Sequence, residues 1–93
     1  MEIYIDSHTL GRAEERGTNA AEIRDVINTG FPIPAKYGRR GKGKVYEYKQ
    51  TRYNNFYPQK RVEVFYLTEG DHITTVTVYV FYGTWREHVA NPL

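Results

Sequence analysis

The chain has no cysteine and only one serine among its 93 residues. Without thiols, disulfide staples, thiolate nucleophiles and cysteine-bound zinc are excluded, so the core must hold itself together. Ser7, the lone serine, stands where a helix N-cap belongs and gives no footing for a Ser-centred triad. No apolar run is long enough to span a bilayer, and no charged start followed by an apolar run marks a signal peptide. The expectation is a soluble, cytoplasmic protein with no membrane partner. A content of 40% hydrophobic and 26% charged residues lies near ordinary globular values. Together with the length it predicts one domain over residues 1–93.

Acidic residues are scarce in the middle of the chain. Between Lys36 and Arg61 stand nine Lys and Arg against the single acid Glu47, a net +8, while the rest carries four basic and ten acidic residues, a net −6. This basic insertion, at about 36–61, is also rich in Tyr37, Tyr46, Tyr48, Tyr53 and Tyr57. Clustered cations interleaved with stacking rings are what single-stranded nucleic acid binds. Arg39, Arg40, Lys42, Lys44, Tyr46, Lys49, Arg52, Lys60 and Arg61 are therefore candidate RNA contacts. The alternative is a solvated loop whose charge keeps the protein soluble and blunts a sheet edge.

Glu2 to Asp6 reads as a short strand or extended arm. Asp6 or Ser7 caps a helix from His8 to Arg16 that stops at Gly17. On it, His8, Arg12 and Arg16 form an i, i+4, i+8 stripe roughly opposite Leu10, Ala13 and Gly17. A second helix opens with Asn19 and Glu22 at capping-box spacing and buries Ile23, Val26 and Ile27. Gly30, Pro32 and Pro34 end it, and Ala35 to Gly43 reads as a mobile connector. Strands follow at Val45–Lys49, Arg61–Thr68 and Ile73–Tyr82, with an irregular loop from Tyr53 to Gln59 and a hairpin turn at Glu69-Gly70-Asp71. On the last strand the alternation sets Val76, Val78 and Val80 on one face and Thr75, Thr77 and Tyr79 on the other. The segment with Trp85, Arg86 and His88 reads as a final strand or a helical turn. The predicted fold class is α+β: two N-terminal helices followed by an antiparallel meander of three or four strands.

Cutting RNA without a metal needs a proton shuttle near neutral pH, cations for the phosphorane charge and hydroxyls that position the 2′-oxygen. His8, Arg12 and Arg16 supply the first two from one helix face, and Thr75, Thr77 and Tyr79 the third from the last strand. The plainer roles are a capping or packing histidine and two solvated arginines near Glu14 and Glu15. The stripe and the strand hydroxyls meet only if the first helix lies at an edge or end of the sheet. His72 and His88 read as surface residues. The histidines lack metal-ligand spacing, and Gly38 to Gly43 lacks the ending of a phosphate loop, so no metal and no cofactor is expected.

Through Ser7-His8, Arg12 and Arg16-Gly17, then Glu22-Ile23 and Val26-Ile27, and finally Thr75-Val76-Thr77-Val78-Tyr79, the chain resembles a widespread group of short bacterial proteins catalogued as a domain of unknown function. The likeness runs from Ser7 to about Tyr82. The order of helices then meander is similar to the barnase, EndoU, colicin and RelE superfamily of metal-independent ribonucleases, many of them toxins of toxin–antitoxin or contact-dependent inhibition systems. That resemblance implies a toxin-type endoribonuclease in which His8 is the leading histidine, Arg12 and Arg16 the helix arginines and Thr77 the strand threonine. It also implies RNA as substrate and a cognate antitoxin or immunity protein as partner. The insertion from Tyr37 to Lys60 departs from the shortest members of the group; it suits an RNA grip or a surface for an acidic partner. A non-catalytic RNA-binding or protein-interaction module is the other reading of the same residues. An immunity or antitoxin role is a third, against which the cationic island speaks.

Overall fold

The computed structural model describes residues 1–85; Arg86 and His88, and with them the reading of the last segment, lie outside the described residues. The elements run β1 (Glu2–Tyr4), α1 (Ser7–Arg16), α2 (Ala20–Thr29), β2 (Phe31–Ile33), β3 (Arg40–Arg52), β4 (Asn55–Glu69) and β5 (His72–Gly83). They form an α+β fold on one five-stranded sheet of order β1-β5-β4-β3-β2. Among the described residues no helix is long and apolar enough to cross a membrane.

The sheet is larger than the predicted meander, and it is mixed. β1 joins β5 in parallel, Ile3 opposite Ile73, which the intervening helices make possible. β2 is an added edge strand, antiparallel to β3 with Phe31 opposite Gly43. Its Pro32, which reads in sequence as a breaker, is tolerated because an edge strand leaves one row of backbone groups unpaired. Two stretches read as loops also belong to strands. Arg40 to Gly43 extends β3, and Asn55 to Gln59 begins β4. The chain reverses at Tyr53-Asn54, both with positive φ, the conformation a two-residue hairpin turn demands. Pro58 faces the register break between Glu47 and Gln50, where Lys49 is left-handed and the ladder is interrupted, so its missing N–H is not needed there.

Both helices lie on one face of the sheet, α1 along β5 and α2 across β3 and β4. Between the layers are packed Ala13, Ile23, Val26, Ile27, Val62, Val64, Tyr66, Ile73 and Val78. The ends of α1 are tied to β5. At the start, the Thr75 hydroxyl donates to Asp6 Oδ1 at 3.0 Å and accepts the Asp6 N–H at 3.3 Å. Thr75 is thereby buried on the helix side, not on the face of Thr77 and Tyr79 as strict alternation predicts. A register shift at Phe65/Tyr66 sets Thr75 opposite Tyr66 and Thr77 opposite Phe65, and Val76 absorbs the extra residue. At its end, α1 stops at Gly17 (φ 96°), whose N–H bonds to the Ala13 carbonyl. A Cβ on Gly17 would strike the Tyr82 hydroxyl, besides straining a left-handed backbone. Gly17→Ala is expected to cost about 1–2 kcal/mol, read as a lowered denaturant midpoint.

Burial of the Asp6 carboxyl favours its neutral form, but the Thr75 hydroxyl and nearby backbone N–H groups outweigh this and hold its pKa below the usual 3.8. Asp25 is lowered too, by the hydrogen bonds from Lys44 and Tyr46. A folded-state pKa below the unfolded value contributes stability that is complete above the unfolded pKa and lost as pH falls through the folded one. The fold should therefore hold its stability down to about pH 4 and lose it below. Asp6→Asn should flatten that acid limb in denaturant titrations at several pH values; an unchanged limb would count against this assignment.

Candidate functional site

Clustering in sequence overstates the free positive charge. Five of the nine candidate contacts are spent inside the fold. Lys60 is only 8% exposed, and its ammonium donates to the Gly17 carbonyl at 2.9 Å and to Glu22 Oε1 at 2.8 Å. Arg52 Nη2 donates to the Glu15 carbonyl at 3.0 Å, and the Tyr82 hydroxyl donates to that of Arg16. Three strands thus each send one donor to the carbonyl end of α1, where backbone acceptors are unfilled and the helix dipole is negative. Lys44 Nζ bonds to Asp25 Oδ2 at 2.7 Å and the Tyr46 hydroxyl to the same oxygen at 2.6 Å. Burial, then the Asp25 carboxylate, push the Tyr46 phenol far above its usual range. Arg61 Nε pairs with Glu63 Oε2 at 2.8 Å and its guanidinium lies 5.0 Å from the Phe31 ring. The side chains of Arg39, Arg40, Lys42 and Lys49 make no hydrogen bond or ion pair among the described residues, and the Arg39 guanidinium lies 5.9 Å from the Tyr37 ring centre.

The other face of the sheet carries no helix. On it stand Thr77, Tyr79 and Phe81 of β5 beside Phe65 of β4, with Tyr79 41% and Phe81 48% exposed. Phe65 meets Tyr79 edge-on at 6.0 Å between ring centroids. A Cβ on Gly41 would stand 2.9 Å from Phe65 Cε1 and 2.8 Å from Ile33 Cγ1, so bare backbone at that position lets both side chains lie close on the sheet. The β2–β3 connection then rises beside them. The Arg39 N–H closes a turn on the Lys36 carbonyl at 3.1 Å, with Tyr37 and Gly38 at positive φ. That turn sets Lys36 and Arg39 side by side. Between it and β5 lies a cleft of about 240 Å³ walled by Pro34, Lys36, Arg39, Phe65, Thr77 and Tyr79.

α1 lies beside β5 with its ends tied near Thr75 and Tyr82, so the helix does run along the sheet edge, as a meeting of the two residue sets requires. Beyond Thr74, no described strand pairs with that side of β5. Arg16 crosses it: its Nη1 donates to the Val78 carbonyl at 2.7 Å and its guanidinium lies 5.0 Å from the centre of the Tyr79 ring. Arg16, Tyr79 and Thr77 are thereby brought together. His8 and Arg12 occupy another part of the same helix, in a shallow hollow with Ser7, Gly11 and Glu15. Arg12 pairs with Glu15 at 3.2 Å, and the exposed His8 imidazole has no hydrogen bond or ion pair among the described residues. Two turns of helix, about 12 Å, separate the His8 and Arg16 positions. Exposed His72 opens β5 beside the β4–β5 turn, near Glu69 and Asp71.

Sequence reasoning missed Lys36 and Phe65 as members of the cleft. A signal for Lys36 was present in Lys36-Tyr37-Gly38-Arg39, a turn-forming stretch flanked by cations. Among the described residues, no three His, Asp or Glu side chains gather to hold a metal ion. The architecture is that of a small two-layer α+β protein with one helix-free sheet face. Compared with family models, curated proteins and solved structures, the chain finds no match.

Proposed function

We propose that the protein binds single-stranded RNA across the helix-free face of its sheet and cuts it without a metal, as a toxin-type endoribonuclease. The observation that carries this reading is the crossing of Arg16 over the edge of β5 onto Tyr79. It links the His8–Arg12–Arg16 stripe to the Thr77–Tyr79 row and gives a phosphate a guanidinium held in place by a carbonyl and a ring. Lys36 and Arg39 extend the positive rim, and Phe65, Tyr79 and Phe81 offer rings for bases. His8 is the general acid or base of this scheme, Arg12 and Arg16 hold phosphate, and Thr77 and Tyr79 orient the substrate. A cognate antitoxin or immunity protein would present carboxylates to the same cations.

A second reading, a non-catalytic RNA-binding module, is favoured by the place of His8, two helical turns from the arginine that reaches Tyr79. The test is cleavage of several unstructured RNAs by purified protein in EDTA, beside binding measured over a range of salt. Cutting in EDTA supports the enzyme. Salt-dependent binding with no cutting leaves the module, and neither activity removes both.

A further inference from the structure

Resting on the RNA reading, we infer that the cleft between the Pro34–Arg39 segment and β5 is a subsite for one unpaired nucleobase, with the adjoining phosphate held at its rim by Lys36 and Arg39. Its walls divide the work of holding a nucleotide. Phe65 and Tyr79 give an aromatic side, Pro34 and Ala35 an apolar one, and no acidic side chain lines it. The Thr77 hydroxyl makes no hydrogen bond among the described residues, so it is spare as donor or acceptor toward a base edge or a ribose.

Size narrows the ligand further. At about 240 Å³ the cleft falls below the roughly 300–1,000 Å³ of pockets that enclose a drug-sized ligand. It suits one ring system, with sugar and phosphate left outside, where the two cations stand. The turn that carries them is short and closed by its own hydrogen bond, and both Lys36 and Arg39 line the opening. Arg16 lies over the Tyr79 ring and donates to the strand beneath it, which restrains the ring before any ligand arrives. A base still paired in a duplex has its faces covered by its neighbours and cannot enter. The subsite therefore makes the protein selective for single strands.

The experiment combines two probes. The first is a short unstructured RNA, its duplex with the complementary strand and the same strand with one abasic position, titrated against wild type, Tyr79→Leu, Thr77→Val and the charge variant Arg39→Gln. The expected result is that Tyr79→Leu loses about 5- to 100-fold in affinity for the single strand, the size of one lost base stack, with little change in salt slope. Arg39→Gln should instead shorten the slope. The abasic strand should bind wild type more weakly and Tyr79→Leu no more weakly than the intact strand does. The second probe is a nucleoside monophosphate followed by amide NMR, which should shift signals of the Lys36–Arg39 turn and of Thr77 to Tyr79. Duplex and single strand binding alike, or Tyr79→Leu binding as wild type does, would overturn the base subsite while leaving RNA binding in place. Monophosphate shifts confined to the cleft without polymer binding would keep the subsite and overturn the RNA reading. Silence from both probes overturns the two together.

Discussion

His8→Ala is expected to lower RNA cleavage by about 10²–10⁴-fold while RNA affinity and its salt dependence stay at wild-type values. Imidazole is the side chain suited to proton transfer near neutral pH, and removing it takes away a proton donor or acceptor without a phosphate contact. Nothing in the fold opposes the substitution. His8 is exposed near the start of α1, holds no partner among the described residues, and alanine is the better helix former. A loss of activity therefore cannot be blamed on unfolding, and a matching melting temperature would document this. Unchanged cutting by His8→Ala would move the chemistry to other groups, and Arg16 and Tyr79 would be next to test. Arg16→Ala is less clean because it also uncovers the Val78 carbonyl at the edge of β5.

Lys60→Met should act in the opposite sense, with a large cost in stability and no separate effect on RNA. A methionine fills a comparable volume but leaves the Gly17 carbonyl and the Glu22 carboxylate without their shared donor. Breaking one side of a largely buried pair of this kind costs about 3 kcal/mol. For a domain of this size that is a fall in Tm of roughly 10–20 °C by circular dichroism. Thr18 also donates to Glu22 Oε1, at 2.7 Å, and retains it in part. The contrast is Arg39→Gln, at an exposed turn, which should leave Tm within a few degrees. If Lys60→Met melted like wild type and lost RNA binding instead, Lys60 would be a surface cation and the account of the α1 terminus would fail.

The two proline-bearing segments show where local reading stops. Pro32 and Pro58 both break a strand by intrinsic preference, and both are in strands here, one on an outer edge and one facing an interrupted ladder. Neither circumstance is visible until partners are in place. Local signals with short reach were readable: Gly17 as the stop of α1, Asn19 with Glu22 at the start of α2, Gly70 in the last hairpin. Glu22 N does bond to Asn19 Oδ1, at 2.9 Å, because a capping contact needs only neighbours in the chain.

The candidate site divides in the same way. Arg16 could be singled out on the helix from spacing alone, and Tyr79 from the alternation of β5. That a guanidinium from one would lie over the ring of the other depended on α1 running along the unpaired edge of that strand. The cationic island is the clearest instance of the difference. Composition determined that positive charge and tyrosine gather between Lys36 and Arg61, and helical and strand periodicity determined most of the elements. Only the tertiary structure decided which charges remain available, because an ammonium is neutralised by what lies within a few ångströms in space. Lys60 and Glu22 are 38 residues apart along the chain and 2.8 Å apart in the fold.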